Sequence, residues 1–311
     1  MADAVDLKST GVILVGSSPT LGTNSKLEWI LVMKKVGILY HPMIEAAYTM
    51  AKELQDFLGC RDVSVWLCSA WEAERIKAQI NETDLILSIG GDGAILRAAQ
   101  AVIHSQIPIT GINLGKLGFM TELSANEAKD RLPPLLDGKG WIDERAILEA
   151  ELSPMEQEHK LPGTFYALND VVLARGAIAR MVYIEASIDG EPVTTYKADG
   201  VIVATATGST GYSLAAGGPI LHPQAKEFIL LPIMPHLSLA YTLVLPPTAV
   251  VKLCITTTLQ ATLSIDGHIN LPVSSGANIT IKHSSNTARF LRIHSQMSFY
   301  SSLEQKLKGK K

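Results

Sequence analysis

The sequence is short of cysteine, aromatic residues and charge, and each shortage argues against a class of protein. Cys60, Cys68 and Cys254 are its only cysteines, an odd number without zinc-ligand spacing. They suggest neither a disulfide framework nor a metal cluster and fit a reducing cytoplasm. The histidines, including His222 and His236, show no metal-ligand spacing either and read as structural. Charged residues make up 18% of the chain and the formal net charge is −3. That balance argues against a nucleic-acid partner, which demands a basic face. Lys306, Lys308, Lys310 and Lys311 form only a short solvated tail. No apolar run reaches the roughly 20 residues of a membrane-spanning helix, so no membrane partner is expected. The run Gly11–Gly16 is too short to span and precedes no clear cleavage site. Residues 1–32 read as an extension, natural or created by an early start codon, ahead of a core pattern that begins at Met33.

What is present is apolar: 47% of 311 residues are hydrophobic, enough for one large core or two. Short apolar runs alternate with helical stretches from 33 to 137. Val36–Tyr40, Val63–Leu67, Leu85–Ile89 and Ile107–Ile112 read as strands. Helices are expected from Pro42 to Gly59, from Trp71 to Ile80 and from the glycine loop to His104. The first carries Ile44, Ala47, Met50, Ala51, Leu54 and Phe57 on one face. This alternation predicts a Rossmann-like α/β domain with a parallel sheet. From 138 to 293 the grammar changes to many strands bounded by Gly, Pro, Asn and Asp, which predicts an all-β, sandwich-like domain. Residues 294–311 form a tail that is expected to return to the first domain.

Gly90-Gly-Asp-Gly93 leaves an apolar strand and enters a helix, where free N–H groups and the helix dipole attract anions. A carboxylate there is unfavourable beside phosphate unless it holds Mg²⁺ or addresses an attacking hydroxyl. The plain alternative is a turn in which Asp92 caps the helix. Asn169-Asp170 interrupts an apolar run and reads either as contacts for a ligand rich in hydroxyls or as a strand end. Thr207-Gly-Ser-Thr-Gly-Tyr-Ser213 is dense in hydroxyls directly after a buried-type strand, which favours a binding loop over a structural turn. Ile265-Asp-Gly-His268 reads foremost as a hairpin turn. Together these motifs describe one phosphate-like and one nucleoside-like site on two domains.

These segments, with Asn113-Leu-Gly-Lys-Leu-Gly-Phe119, Asp199–Ser213, Gly217-Gly-Pro219, Pro235-His236 and Asp266-Gly267, resemble the NAD kinase family from about Met33 to the low 290s. The middle motif is specific, whereas Gly-Gly-Asp-Gly is shared with lipid kinases and phosphofructokinase-type sugar kinases. The resemblance implies transfer of phosphate from Mg²⁺-bound ATP, or from polyphosphate, to the adenosine ribose 2′-hydroxyl of NAD. It implies Asp92 as the catalytic residue and Gly90, Gly91, Gly93 and Arg97 at the donor phosphates. For NAD it implies Asp92, Gly93, Phe119, Asn169, Asp170, Arg180, Lys197, Asp199, Thr210, Gly211, Tyr212, Ser213, Leu214, Ala215 and His268. It also implies a homodimer or homotetramer and no dedicated protein metal site. Departures from the family pattern are Ala94 for Thr, Asp170 for Glu, Gly211 for Ala and His268 for Gln. Tyr241-Thr242 stands in place of Arg-Pro. The rival readings are a non-catalytic NAD sensor and a lipid or sugar kinase with the same glycine loop.

Overall fold

The computed structural model describes residues 33–115, 118–153, 163–176, 180–236, 241–256 and 260–295, together with 299 and 303. The extension 1–32 and most of the tail expected at 294–311 lie outside the described residues. The first half runs β1 (Lys35–Tyr40), α1 (Glu45–Gly59), β2 (Ser64–Ser69), α2 (Ala73–Gln79), β3 (Leu85–Ile89), α3 (Asp92–Val102), β4 (Ile109–Asn113), β5 (Leu123–Ser124) and α4 (Ala128–Leu136). Strands β2, β1, β3 and β4 lie side by side in parallel. Every residue of β3 and β4 is buried, which explains their unbroken apolar runs. Ala47, Met50, Ala51, Leu54 and Leu58 form the buried face of α1. Phe57 is only partly buried and Ile44 lies outside α1, because the register of the face passes through Leu58. Helices α1 and α4 cover one face of the sheet, and α2 and α3 the other.

The second half continues β6 (Trp141–Ser153), β7 (Gly163–Ala167), β8 (Asp170–Arg175), β9 (Val182–Ile188), β10 (Glu191–Ala198) and β11 (Gly200–Ala204). A short helix α5 (Tyr212–Ala215) precedes β12 (Phe228–Ile233), β13 (Leu243–Leu245), β14 (Val250–Ile255), β15 (Ala261–Ile265), β16 (Ile269–Val273) and β17 (Asn278–Arg292). Six strands form an antiparallel sheet in the order β13-β12-β11-β8-β15-β16. It packs on β6, β9, β10, β14 and β17 around a core that includes Tyr196, Phe228, Leu253 and Ile279. The stretch from Ala167 to Ala174, whose composition reads as one strand apart from the polar Asn169-Asp170, belongs to two strands, β7 and β8, broken at Leu168 and Asn169.

The fifteen-residue strand β17 joins the halves. It pairs antiparallel with β14 and β6 and, at Phe290, parallel with Ile109 of β4. One eleven-stranded sheet therefore runs through both halves. The chain reverses direction across the sheet between β1 and β3, and in α/β folds ligands bind in the crevice outside the carboxyl ends of strands at such a switch point.

Candidate active site

The glycine loop turns at the carboxyl end of β3, where His41 N–H reaches Ile89 O at 3.0 Å and Gly90 N–H reaches Ile112 O at 2.9 Å. Gly91 is the N-cap of α3 and no side chain caps that end. Asp92 is thus not spent as a helix cap, and the turn reading is excluded for its carboxylate. A Cβ at Gly91 or Gly93 would meet nothing within 4 Å, so the main chain faces open space that phosphate can enter. Arg97, one turn further, lies with its guanidinium 4.2 Å from the Trp71 ring centroid. Partial burial there lowers its pKa from the ordinary arginine value. Ala94 is fully buried, so its methyl group faces the protein and not the crevice.

The carboxylate of Asp92 is aimed by backbone donors. Phe119 N–H donates to Oδ2 at 2.9 Å and Met120 N–H to Oδ1 at 3.1 Å. Each oxygen keeps a second lone pair for a ligand hydroxyl. Close approach makes this possible: a Cβ on Gly118 would lie 2.3 Å from Asp92 Oδ1. Gly118→Ala must push the carboxylate off its two donors, and we expect activity to fall about a hundredfold. Steady-state assays beside thermal melts check this, with near wild-type turnover as the contrary result.

On the β side, a single buried carboxylate organises the Leu168–Asp170 break. Asp266 Oδ2 accepts Leu168 N–H at 2.9 Å, and Oδ1 accepts Asn169 N–H at 2.7 Å and Asp170 N–H at 3.1 Å. The Asp266-Gly267 turn is left-handed at both residues, φ 49° and 70°, as a tight hairpin requires. The hairpin expectation holds, and the turn also builds the site. Gln100 of α3 links the halves by donating to Tyr166 O and to Asp266 Oδ2. Burial pushes the Asp266 carboxyl up, against the three backbone donors that favour its charged form. Asp170 accepts no hydrogen bond on its carboxylate among the described residues. Burial, and then the charge of Asp266, push it up to about 7.

Asn169 presents its side chain beside the hydroxyl-rich loop. Its carbonyl accepts Thr205 N–H at 2.9 Å, while its buried side-chain Oδ1 has no partner among the described residues. Gly208 presses so close that a Cβ would lie 2.0 Å from Asn169 O. Thr205 Oγ1 donates to Leu168 O and accepts Gly208 N–H at 3.0 Å, tying the loop to the break. Two of the loop's hydroxyls are spent locally: Ser209 donates to Ala206 O and Thr210 to Thr207 O. Ser213 Oγ is buried without a partner among the described residues, and Tyr212 is exposed. Gly211 and Ala215 are exposed and Leu214 is half-buried on α5. His268 rests its Nδ1 3.2 Å from Asp266 O in the adjoining turn.

Three expected residues sit elsewhere. Asp170 pairs with Ala204 at one end of β11, while Asp199 precedes Gly200 at the other. Five strand residues separate them, roughly 16 Å. Asp199 forms an ion pair with Arg175 at 3.0 Å. Lys197 holds its ammonium 5.8 Å from the Tyr183 ring centroid, and Arg180 is exposed before β9.

Sequence reasoning also passed over a buried ionic group between the motifs. Arg145 donates to Asp143 Oδ2 through Nη2 at 2.5 Å and to Thr207 Oγ1 at 3.3 Å. Arg292 donates to Asp143 Oδ2 at 3.3 Å, to Met120 O at 2.8 Å and to Glu122 Oε2 at 3.2 Å. Glu122 Oε1 accepts the N–H groups of Ile293 and His294. Burial opposes ionisation of Asp143, yet the guanidiniums of Arg145 and Arg292 hold its carboxyl below the usual range. Its signal in the sequence was slight: Asp143 and Arg145, of opposite charge and two apart, fall on the same face of a strand that is otherwise largely apolar there.

A bare glycine loop with an aimed carboxylate after β3, tied by buried hydrogen bonds to an amide and hydroxyl loop after β11 of the second sheet, is the arrangement of a kinase for a nucleoside-containing small molecule. Profiles of the ATP-NAD kinase N-terminal and C-terminal domains match residues 36–139 and 168–293. The chain belongs to the NAD kinase family. An NAD kinase of Dehalococcoides mccartyi is 49% identical over 276 residues, covering 89% of this chain and 96% of that protein. One from Chloroflexus aggregans is 37% identical, covering 89% and 99%. Among solved structures, an NAD kinase from Archaeoglobus fulgidus in complex with ATP aligns with a TM-score of 0.71 at 26% identity, covering 87% of this chain and 98% of that one. A yeast NADH kinase complexed with NADH shares the fold at a TM-score of 0.78 and 24% identity, covering 91% and 89%.

Proposed function

We infer that this protein phosphorylates the adenosine ribose 2′-hydroxyl of NAD to give NADP, with ATP as donor. The observation that carries the reading is Asp92: a carboxylate held by the Phe119 and Met120 N–H groups, with free lone pairs, at the mouth of an uncapped glycine loop. The 49% identical relative named NAD kinase supports the same reading over the sensor and lipid-kinase alternatives.

In this mechanism the N–H groups of Gly91 to Gly93 and the guanidinium of Arg97 hold the donor phosphates. Arg97 leaves the Trp71 face to do so. Asn169, whose Oδ1 is unpartnered among the described residues, and Asp170 hold ribose hydroxyls, while Phe119 packs near the adenine. Thr210 to Ala215 and His268 border the dinucleotide. The assignment of Arg180, Lys197 and Asp199 to NAD rests on the resemblance alone. Phosphoryl transfer passes through a loose transition state, so positioning and charge neutralisation outweigh full deprotonation. Asp92 orients the 2′-hydroxyl and takes its proton late, as the new P–O bond forms and the bond to the leaving ADP breaks.

Among the described residues no three of His, Cys, Asp and Glu converge to hold a metal. In this reading a divalent ion such as Mg²⁺ would come with the ATP phosphates and would supply charge neutralisation there. Residues 33–137 form the donor half and 138–293 the NAD half in this reading. It includes a cytoplasmic homodimer or homotetramer, which light scattering would size. The first test is purified protein with NAD and MgATP, read by an NADP-specific dehydrogenase. NADP formation is expected; NAD binding without turnover would turn the reading toward a sensor.

A further inference from the structure

The ionic group at the junction of the halves has no place in the chemistry described so far, although it touches both motif loops. Its members are buried: Asp143 is 2% exposed, Arg292 5%, Arg145 7% and Glu122 8%. Burying four charges is costly, and an apolar set of the same volume would often stabilise the fold as well or better. What the charges supply is direction. One hydrogen-bonded path starts at Asp92 and enters Met120 through its N–H. It leaves through the Met120 carbonyl to Arg292, crosses Asp143 to Arg145 and ends on the hydroxyl of Thr207. Thr207 opens the hydroxyl-rich loop, and its carbonyl accepts Thr210 Oγ1 at 3.2 Å. Strand pairing makes the path stiff. Phe290 of β17 stands opposite Asp143 and Ala288 opposite Arg145, so Arg292 lies diagonally across from Asp143 on the adjoining strand. Both guanidiniums lie over the buried Phe290 ring, at 4.9 and 5.7 Å from its centroid.

We propose that Arg292, Asp143 and Arg145 are positioning residues that hold Asp92 and the Thr207–Ser213 loop in one fixed relation. The proposal rests on the NAD kinase reading. In-line transfer needs the acceptor hydroxyl and its carboxylate in register to a fraction of an ångström, and a 1 Å error costs about a hundredfold in rate. Two loops on different strands acquire that register when one rigid charged group grips both. A further consequence is cross-talk, in which a change at either end of the path alters the behaviour of the other.

The test uses the full-length enzyme with Thr207→Val, Arg292→Lys and the double variant. Thr207→Val removes only the hydroxyl at one end, and Arg292→Lys keeps the charge but loses the two-sided grip at the other. Thermal melting, kcat with MgATP at saturating NAD, and the Kd for NAD are measured for each. Thr207→Val is expected to lower kcat about tenfold, although Thr207 makes no contact with Asp92. Arg292→Lys is expected to raise the Kd for NAD at least about threefold, although it lies on the Asp92 side. The double variant should fall short of the product of the single effects on kcat by at least about threefold. Variants that only melt earlier, or single effects that multiply, would overturn the proposal. Should Arg292→Lys not fold, an unchanged kcat in Thr207→Val overturns it alone. A wild-type enzyme that makes no NADP would instead remove the reading on which the proposal rests.

Discussion

Asp92→Asn is expected to lower kcat by about a thousandfold or more while the Kd for NAD stays within a few-fold of wild type. The loss combines two effects that the geometry separates. An amide cannot take up the proton of the 2′-hydroxyl, which removes a contribution of about 10²–10⁴ to the rate. It also keeps only one oxygen for the Phe119 and Met120 N–H donors, so its NH₂ opposes one of them. That mismatch leaves a donor unpaired at a cost of about 1–3 kcal/mol and shifts the 118–120 loop as well. A lower melting temperature should therefore accompany the kinetic defect. Isothermal titration with NAD and single-turnover assays distinguish lost chemistry from lost binding. Turnover within tenfold of wild type would remove Asp92 from the centre of the mechanism.

Asp170→Asn should stabilise the fold at pH 8 and weaken NAD binding. The Asp170 carboxyl is raised from an ordinary 3.8 to about 7 by burial and by Asp266. The folded state then holds this proton more tightly than the unfolded chain does. The associated stability is complete below pH 3.8 and is lost as pH rises through about 7. Three pH units correspond to roughly 4 kcal/mol, and local relaxation brings the expected gain to about 2–4 kcal/mol at pH 8. That is a rise of about 3–7 °C in Tm, shrinking to about a third at pH 5. In the wild type, affinity for NAD should increase as pH passes 7, because the ionised carboxylate accepts ribose hydroxyls. The variant should show a flat profile. Melts and NAD titrations at pH 5 and 8 check both trends, and a Tm difference independent of pH would refute the assignment. The site thus keeps a destabilising carboxyl where an amide would fold better, as functional sites commonly do.

Much of the phosphate side was legible because its cause is local. An apolar strand, glycines and a helix start follow one another in sequence, and that order alone makes an anion-binding loop. The hairpin at Asp266-Gly267 was legible for the same reason, since Asp-Gly suits its two left-handed residues. The further role of Asp266 was not. Its carboxylate serves N–H groups almost a hundred residues earlier, and no periodicity reports that. Asn169-Asp170 marked an interruption in the run from Ala167 to Ala174, and its strand-end reading fits the break between β7 and β8, but the sequence did not show what holds the turned backbone there. The Asp266 carboxylate and Thr205, both distant in sequence, satisfy the turned backbone.

By itself the sequence determined the parallel α/β half, the β-rich half, the aimed carboxylate's place in a glycine loop and the hydroxyl-rich binding loop. Each of these follows from neighbours along the chain, through side-chain periodicity and turn chemistry. The tertiary structure decided which groups face one another. Strand β17 fused the halves into one sheet, brought Arg292 beside Asp143 and Arg145, and left Asp199 at the far end of β11 from Asp170. Burial is the physical reason. A charge can be buried only where distant segments supply its partners, so the residues that join the two loops are set by pairing across the sheet and not by spacing along the chain.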